Sequence, residues 1–142
     1  MSEKLRLEFN VDGDNFVSAG AASEAVKRAL KQLNIPREFV RKVAIAMYEG
    51  EINMVIHGKG GKAFVEIDQD EIYISLIDKG PGIADIEWAM REGNSTASDN
   101  IRSLGFGAGM GLPNIKKNSD SLEITSEVGK GTTVDIRIKL KI

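Results

Sequence analysis

Six of the chain's 15 glycines fall in two short runs, Asp78-Lys-Gly80-Pro-Gly82 and Gly105-Phe-Gly107-Ala-Gly109-Met-Gly111, and these runs constrain the chain more than any other feature. Turn chemistry alone does not require such a concentration. Glycine permits positive φ and lacks Cβ, so successive N–H groups can converge on an anion, and a helix that begins where the run ends adds its positive terminus. Gly109-Met110-Gly111-Leu112 stands just before a helical pattern and fits a phosphate cradle. A flexible linker has a similar composition. The glycines alone leave that alternative open.

Standard phosphate motifs can be tested directly. The P-loop needs G-x-x-x-x-G-K-[ST], which no window satisfies, and G-x-G-x-x-G fails because the later glycines recur strictly at every second residue. No strong strand precedes them, so the dinucleotide-binding context is missing too. Asp78 ends an apolar strand at the start of a glycine turn, where its carboxylate would sit at the rim of the core. Such an acceptor can hold an exocyclic amine such as N6 of adenine and reject bases lacking that donor. A plain Asp-Gly type turn explains the same residues equally well. On a helical segment Glu49, Asn53 and His57 recur at four-residue intervals and share one stripe. A carboxylate and an amide oxygen there suit a Mg²⁺ that also takes phosphate oxygens, although a solvated helix face would carry the same residue types. Glu51 lies nearly opposite and reads as solvent-facing.

Composition narrows the classes. Lys and Arg number 19 against 21 Asp and Glu, for a net charge of -2. A nucleic-acid partner, which usually demands a basic excess, is disfavoured. The absence of cysteine excludes disulfides, thiolate metal sites and cysteine nucleophiles, and the single His57 argues against zinc. The amino terminus alternates charged and apolar residues unlike a signal peptide, and no apolar run approaches the ~18 residues of a membrane span. A cytoplasmic protein is expected.

The 142 residues suit a single domain spanning 1–142. Leu5, Leu7, Phe9 and Val11 alternate as in a half-buried strand; Ala22, Ala25, Val26, Ala29, Leu30 and Leu33 recur at helical spacing. Pro36 opens a second helix running to about Ile56, closed by Gly58, Gly60 and Gly61. Residues 63–68 and 72–78 read as a hairpin, with Ile74, Leu76 and Ile77 suggesting burial on both faces. A short helix over 83–91, a Ser/Asn/Gly-rich loop over 93–108, a helix from near Met110 to Lys117, and strands over 122–126 and 132–142 complete the pattern. About five strands and three main helices, with the strands mostly joined by hairpins, predict a two-layer α+β sandwich with a mixed, mostly antiparallel sheet and helices on one face.

In this order the motifs resemble the Bergerat-fold ATPases, the superfamily that joins gyrase, the Hsp90 chaperones, histidine-kinase catalytic domains and mismatch-repair ATPases. Glu49-Gly-Glu-Ile-Asn53-Met-Val-Ile-His57-Gly58 looks like the N box, Asp78-Lys-Gly80-Pro-Gly82-Ile83 like the first glycine box, Gly107-Ala-Gly109-Met110-Gly111-Leu112 like the second, and Gly129-Lys-Gly131-Thr132-Thr133-Val like the terminal Gly-Thr element. The short chain most resembles bacterial anti-sigma-factor serine kinases and related switch kinases that phosphorylate a STAS-domain partner. That resemblance implies Glu49 as base, Asn53 as Mg²⁺ ligand, Asp78 as adenine acceptor, and Gly80 and Gly82 as backbone contacts. It implies Thr132 on the adenine side and Gly107, Gly109 and Gly111 along the triphosphate. His57, Ile83, Met110 and Leu112 are counted around the nucleotide, and Arg102 near its terminal phosphate. Gly50 and Met54 depart from the small alanines common in these kinases.

The resemblance thus implies ATP with Mg²⁺ as cofactors and phosphoryl transfer to a serine or threonine of an anti-anti-sigma protein. A sigma factor is a further expected partner. It admits a homodimer and implies no direct contact with nucleic acid or membrane. An alternative expectation is a non-catalytic module in which ATP orders the 93–108 loop to sequester a sigma factor or another regulator.

Overall fold

The structure is a computed structural model that describes residues 4–13, 15, 18–57, 59–83, 85–91 and 111–140. Strand β1 (Leu5–Asp12) leads into helices α1 (Ala21–Gln32) and α2 (Arg37–Ile56). A hairpin of β2 (Gly60–Ile67) and β3 (Glu71–Asp78) follows, then the helical turn α3 (Ile86–Ala89), helix α4 (Gly111–Lys117), and a second hairpin of β4 (Ser121–Glu127) and β5 (Gly131–Lys139). The strands form one sheet in the order β1-β2-β3-β5-β4. All four pairings are antiparallel, so the sheet is not mixed as expected. The reason lies in the connections: two are hairpins, and α1 with α2 returns the chain so that Gly60 starts opposite Asp12, where β1 stopped.

The helices cover one face. Val65, Ile72, Ile74, Leu76, Ile136 and Ile138 project from the sheet into a core shared with Val26 and Leu30 of α1, Val43, Met47 and Val55 of α2, and Ile115 of α4. The expected alternation of β5 holds through Val134, Ile136, Ile138 and Leu140, while Ile142 lies outside the described residues. Ile77 departs from expectation. It is 41% exposed, because its register places it on the uncovered face of the sheet beside Lys62 and Thr133. Apart from Phe64, that face is otherwise mostly polar, with Arg6–Glu66, Lys62–Glu8 and Arg137–Glu71 ion pairs, a Tyr73–Asp135 hydrogen bond of 2.8 Å, and the Arg137 guanidinium 4.3 Å from the Tyr73 ring centroid. Exposed pairs of this kind contribute at most about 1 kcal/mol each. The helix-covered side therefore carries the stability.

The helix expected over 83–91 contracts to four residues, since the Asp85 carboxylate accepts the Trp88 N–H at 3.0 Å and fixes the start, while Met90 caps the end. Among the described residues no helix is long and apolar enough to cross a membrane.

Glu51 contradicts the sequence reading most sharply. It is 2% exposed and turned toward α1, not solvent. Its carboxylate accepts the N–H groups of Gly20 at 2.9 Å, Ala22 at 3.2 Å and Ser23 at 3.0 Å. These are donors that the first turn of α1 cannot satisfy itself, and the N-cap, Gly20, has no side chain to supply. A carboxylate from a neighbouring helix thus does the work of an N-cap, with the helix dipole in its favour. Glu51→Ala is expected to lower the unfolding free energy by about 2–4 kcal/mol, because the donors are left unpaired away from water. A urea titration that shows a loss under about 0.5 kcal/mol would mean that water replaces the carboxylate.

Candidate functional site

The sheet ends in a row of residues on the helix-covered side. Gly61 stands opposite Asp78, and Thr132 opposite Ser126. Asp78 is the centre of that row. Its Oδ1 accepts the N–H of Gly80 and the N–H of Thr132, both at 3.0 Å, so one oxygen closes the glycine turn and ties the end of β3 to β5. Oδ2 accepts no hydrogen bond among the described residues and remains an acceptor. Burial pushes the Asp78 carboxyl above its ordinary range, against the pull of those two N–H groups and of His57.

Two glycines are required by close approach. The Glu127 carbonyl occupies the space a side chain on Gly82 would need, at φ 81°, and the Asp78 carbonyl does the same for Gly131, at φ 132°. The turn after β3 and the β4–β5 turn therefore interlock, reinforced by a 2.8 Å bond from Gly129 N–H to the Pro81 carbonyl. Ile83 packs partly against the core and donates its N–H to Ser126 Oγ at 2.6 Å. Ser126 Oγ also lies 2.9 Å from Thr132 Oγ1 and 3.2 Å from the Gly131 carbonyl. Thr132 itself is buried at 6% exposure.

Helix α2 presents the predicted stripe to this row and to α4. His57 caps α2, its N–H bonded to the Asn53 carbonyl at 2.9 Å, and its imidazole lies close enough to feel the Asp78 charge. Burial holds the imidazole below its ordinary value, and Asp78 acts in the opposite sense. Asn53 faces Gly111, where an added Cβ would stand 3.1 Å from both amide heavy atoms. Glu49 Oε1 accepts from Asn114 Nδ2 at 3.4 Å. Gly50 is where α2 meets the sheet, with a Leu76 methyl filling the space its Cβ would take, and Met54 is buried in the core at 2% exposure. The two N-box departures are thus packing choices that leave the polar stripe in place.

Leu112 is likewise packed in the core, at 8% exposure, so only its backbone faces outward chemistry. Arg102, Gly107, Gly109 and Met110 lie outside the described residues, as does the loop over 93–108. Sequence reasoning missed Ser126 and Asn114. Pairing the last two strands through the Gly129 turn would have placed Ser126 opposite Thr132, and Asn114, one helical turn beyond Gly111, shares its face.

Hard oxygen donors at Glu49 and Asn53 suit Mg²⁺ held jointly with phosphate. Among the described residues no cluster of three or more His, Cys, Asp or Glu could cage a metal alone.

A buried-edge carboxylate at the end of an antiparallel sheet, faced by a helix that carries a carboxylate and an amide one turn apart, is the arrangement of a nucleotide-binding α+β protein of the ATPase class. Residues 40–142 match the family described as histidine kinase-, DNA gyrase B-, and HSP90-like ATPase, and the chain belongs to that family. Membership implies ATP binding. The chain is 32% identical to an anti-sigma F factor of Clostridium beijerinckii, covering 98% of this chain and 96% of that protein. It is also 32% identical to an anti-sigma F factor of Clostridium perfringens, covering 99% of each. Within the family it is of the anti-sigma-factor type. The structure of the RsbU and RsbW domains of Rv1364c from Mycobacterium tuberculosis superposes with a TM-score of 0.60 at 16% identity, covering 96% of this chain and 32% of that one, and it shares the fold.

The pKa directions carry opposite signs. The unfolded chain protonates His57 first, so the stability His57 contributes is lost as pH falls from its ordinary 6.5 through its lower folded value. The folded chain holds the Asp78 proton longer, so stability is lost as pH rises from the ordinary 3.8 through the raised folded value. Asp78→Asn keeps an acceptor for Gly80 and Thr132 without the burial cost of a charge. At pH 7 the ligand-free variant is expected to melt no lower than wild type, with any advantage shrinking toward pH 3.8, while ATP affinity falls at least tenfold. Thermal melts across pH and ATP titrations check both halves.

Proposed function

We propose that the chain is a regulatory serine/threonine protein kinase that transfers the γ-phosphoryl group of ATP to a hydroxyl of a STAS-domain anti-anti-sigma protein, and that it also engages a sigma factor. Its place of action would be the cytoplasm. The observation that carries this reading is the contrast between two carboxylates on one helix. Glu51 is buried and engaged by three backbone donors, whereas Glu49 is partly exposed on the opposite side and, among the described residues, accepts one long bond from Asn114. Glu49 keeps lone pairs for a proton. Glu51 is committed to the start of α1 and lies out of a ligand's reach.

In this scheme Asp78 and Thr132 hold the base and the Gly111 end of α4 lies along the phosphates. Asn53 would hold Mg²⁺, which supplies neutralisation of charge on the phosphate oxygens. The partner's hydroxyl oxygen bonds to the γ-phosphorus as the bond to the ADP oxygen breaks, and Glu49 takes the hydroxyl proton. Asn114 keeps Glu49 in position for this.

Incubation with labelled ATP and a STAS-domain anti-anti-sigma protein that binds this chain is expected to move label onto that protein. Glu49→Gln should slow transfer by about 10²–10⁴-fold with ATP affinity little changed. Undiminished transfer by Glu49→Gln would overturn the role of Glu49. Stable ATP-dependent binding without transfer by wild type would favour a non-catalytic regulator.

A further inference from the structure

Residues 25–44 hold six cations, Lys27, Arg28, Lys31, Arg37, Arg41 and Lys42, against one acid, Glu38. With these six set aside, 13 of the chain's 19 Lys and Arg stand against 21 Asp and Glu, so a chain close to neutral overall is strongly polarised. The fold gathers them. Half lie on the last turns of α1 and half on the first turns of α2, and the turn over 33–36 brings those helix ends together. Asn34, at φ 58°, and a 3.1 Å bond from the Ile35 N–H to the Leu30 carbonyl hold that turn in one shape, from which Leu33 stands out at 48% exposure.

Helix stability does not account for the charge. Lys31, in the last turn of α1, answers the negative end of its dipole, but Arg37 sits in the first turn of α2, where the dipole opposes a cation. Lys27–Lys31 and Arg37–Arg41 are like-charge pairs four residues apart, which destabilise a helix. Among the described residues none of the six makes an ion pair, and Lys42 only leans toward the Phe39 ring, 6.0 Å from its centroid. A rigid tip that carries uncompensated charge around an exposed leucine has the composition of an interface.

Its position names the partner. Arg37, Arg41 and the exposed Tyr48 follow one ridge of α2, and Glu49 stands beside the end of that ridge, about 12 Å along the axis from Arg41. A protein that brings a hydroxyl to Glu49 therefore also stands over the basic hairpin, within the span of an ordinary interface. We propose that the tip of the α1–α2 hairpin is a docking surface for an acidic face of the phosphoryl-accepting partner, with Arg28, Lys31, Arg37 and Arg41 meeting carboxylates around Leu33. The inference rests on the kinase reading and adds to it the surface that selects the partner. A long polyanion fits the tip less well, because the acidic remainder of the chain repels it on either side.

The test measures dissociation constants for a STAS-domain anti-anti-sigma protein and for ATP on wild type and on two charge-reversed variants, one on each helix: Arg28→Glu with Lys31→Glu, and Arg37→Glu with Arg41→Glu. Each pair is expected to weaken partner binding about 10-fold or more at low salt, mainly through slower association, with ATP affinity unchanged and the difference shrinking as salt rises from about 50 to 500 mM. Leu33→Ser is expected to weaken it about 3- to 10-fold at every salt concentration. Partner affinity that moves by less than about twofold in both reversed pairs overturns the inference and leaves the kinase reading intact. Tighter binding of a 20-base-pair DNA duplex or of phosphatidylserine vesicles than of the STAS protein, lost in the same variants, overturns the assignment to a protein partner. A wild type that does not bind the STAS protein at all overturns the kinase reading and the partner named here together.

Discussion

The depth at which α2 sits on the sheet governs the rest of the molecule. At Gly50 the helix backbone approaches β3 so closely that a Leu76 methyl occupies the place of a side chain, with Ile115 of α4 nearby. That approach brings Asn53 against Gly111 and His57 within electrostatic reach of Asp78. A helix held off by an ordinary side chain would carry its polar stripe away from both α4 and the sheet end. On the other flank Glu51 fastens α1 to the same helix, so α2 is fixed from two directions.

Magnitudes explain where polarity is tolerated. Each fully buried Leu, Ile or Val is worth about 1.5–3 kcal/mol, several times an exposed ion pair. The apolar residues accordingly concentrate between sheet and helices, and the ion pairs decorate the outer face, where they keep the sheet wet. Asp78 lies between these regimes. Its carboxylate costs stability at neutral pH by being half-buried, and two N–H bonds only partly offset that cost. A group kept at a net cost, with one oxygen that accepts no bond among the described residues, is where a ligand has the most to gain.

Much of this was legible in the chain. Alternation located β1 and β5, helical spacing located α1 and α2, and the glycine turn after Ile77 located the end of β3. The failures share a cause. Glu51 was assigned to solvent because it lies opposite Glu49, a rule that holds for a helix with one buried side; yet Phe39, Val40, Val43, Met47, Ile52 and Val55 surround α2 with apolar residues, the mark of a helix covered on more than one side. Ile77, beside Leu76, suggests a strand buried on both faces, but its register puts it on the outer face, which no helix covers. Ser126 and Asn114 escaped because each gains meaning only from a partner distant in the fold or around a helical turn.

The same distinction divides the site into two mechanically different ends. At the sheet end, Asp78, Thr132, Ser126 and Ile83 are linked by hydrogen bonds across β3, β5 and β4. At the helix end, Glu49 is steadied by one 3.4 Å bond to Asn114, and Asn53 by packing against a glycine. A rigid, strand-built end is suited to recognition, because selectivity depends on donors and acceptors that cannot reorient to suit the wrong ligand. A lightly tethered carboxylate is suited to proton transfer, because its bonds must tighten only when the second reactant arrives. Changes near β4 and β5 should therefore act first on which nucleotide is held, and changes on α2 and α4 first on what is done with it.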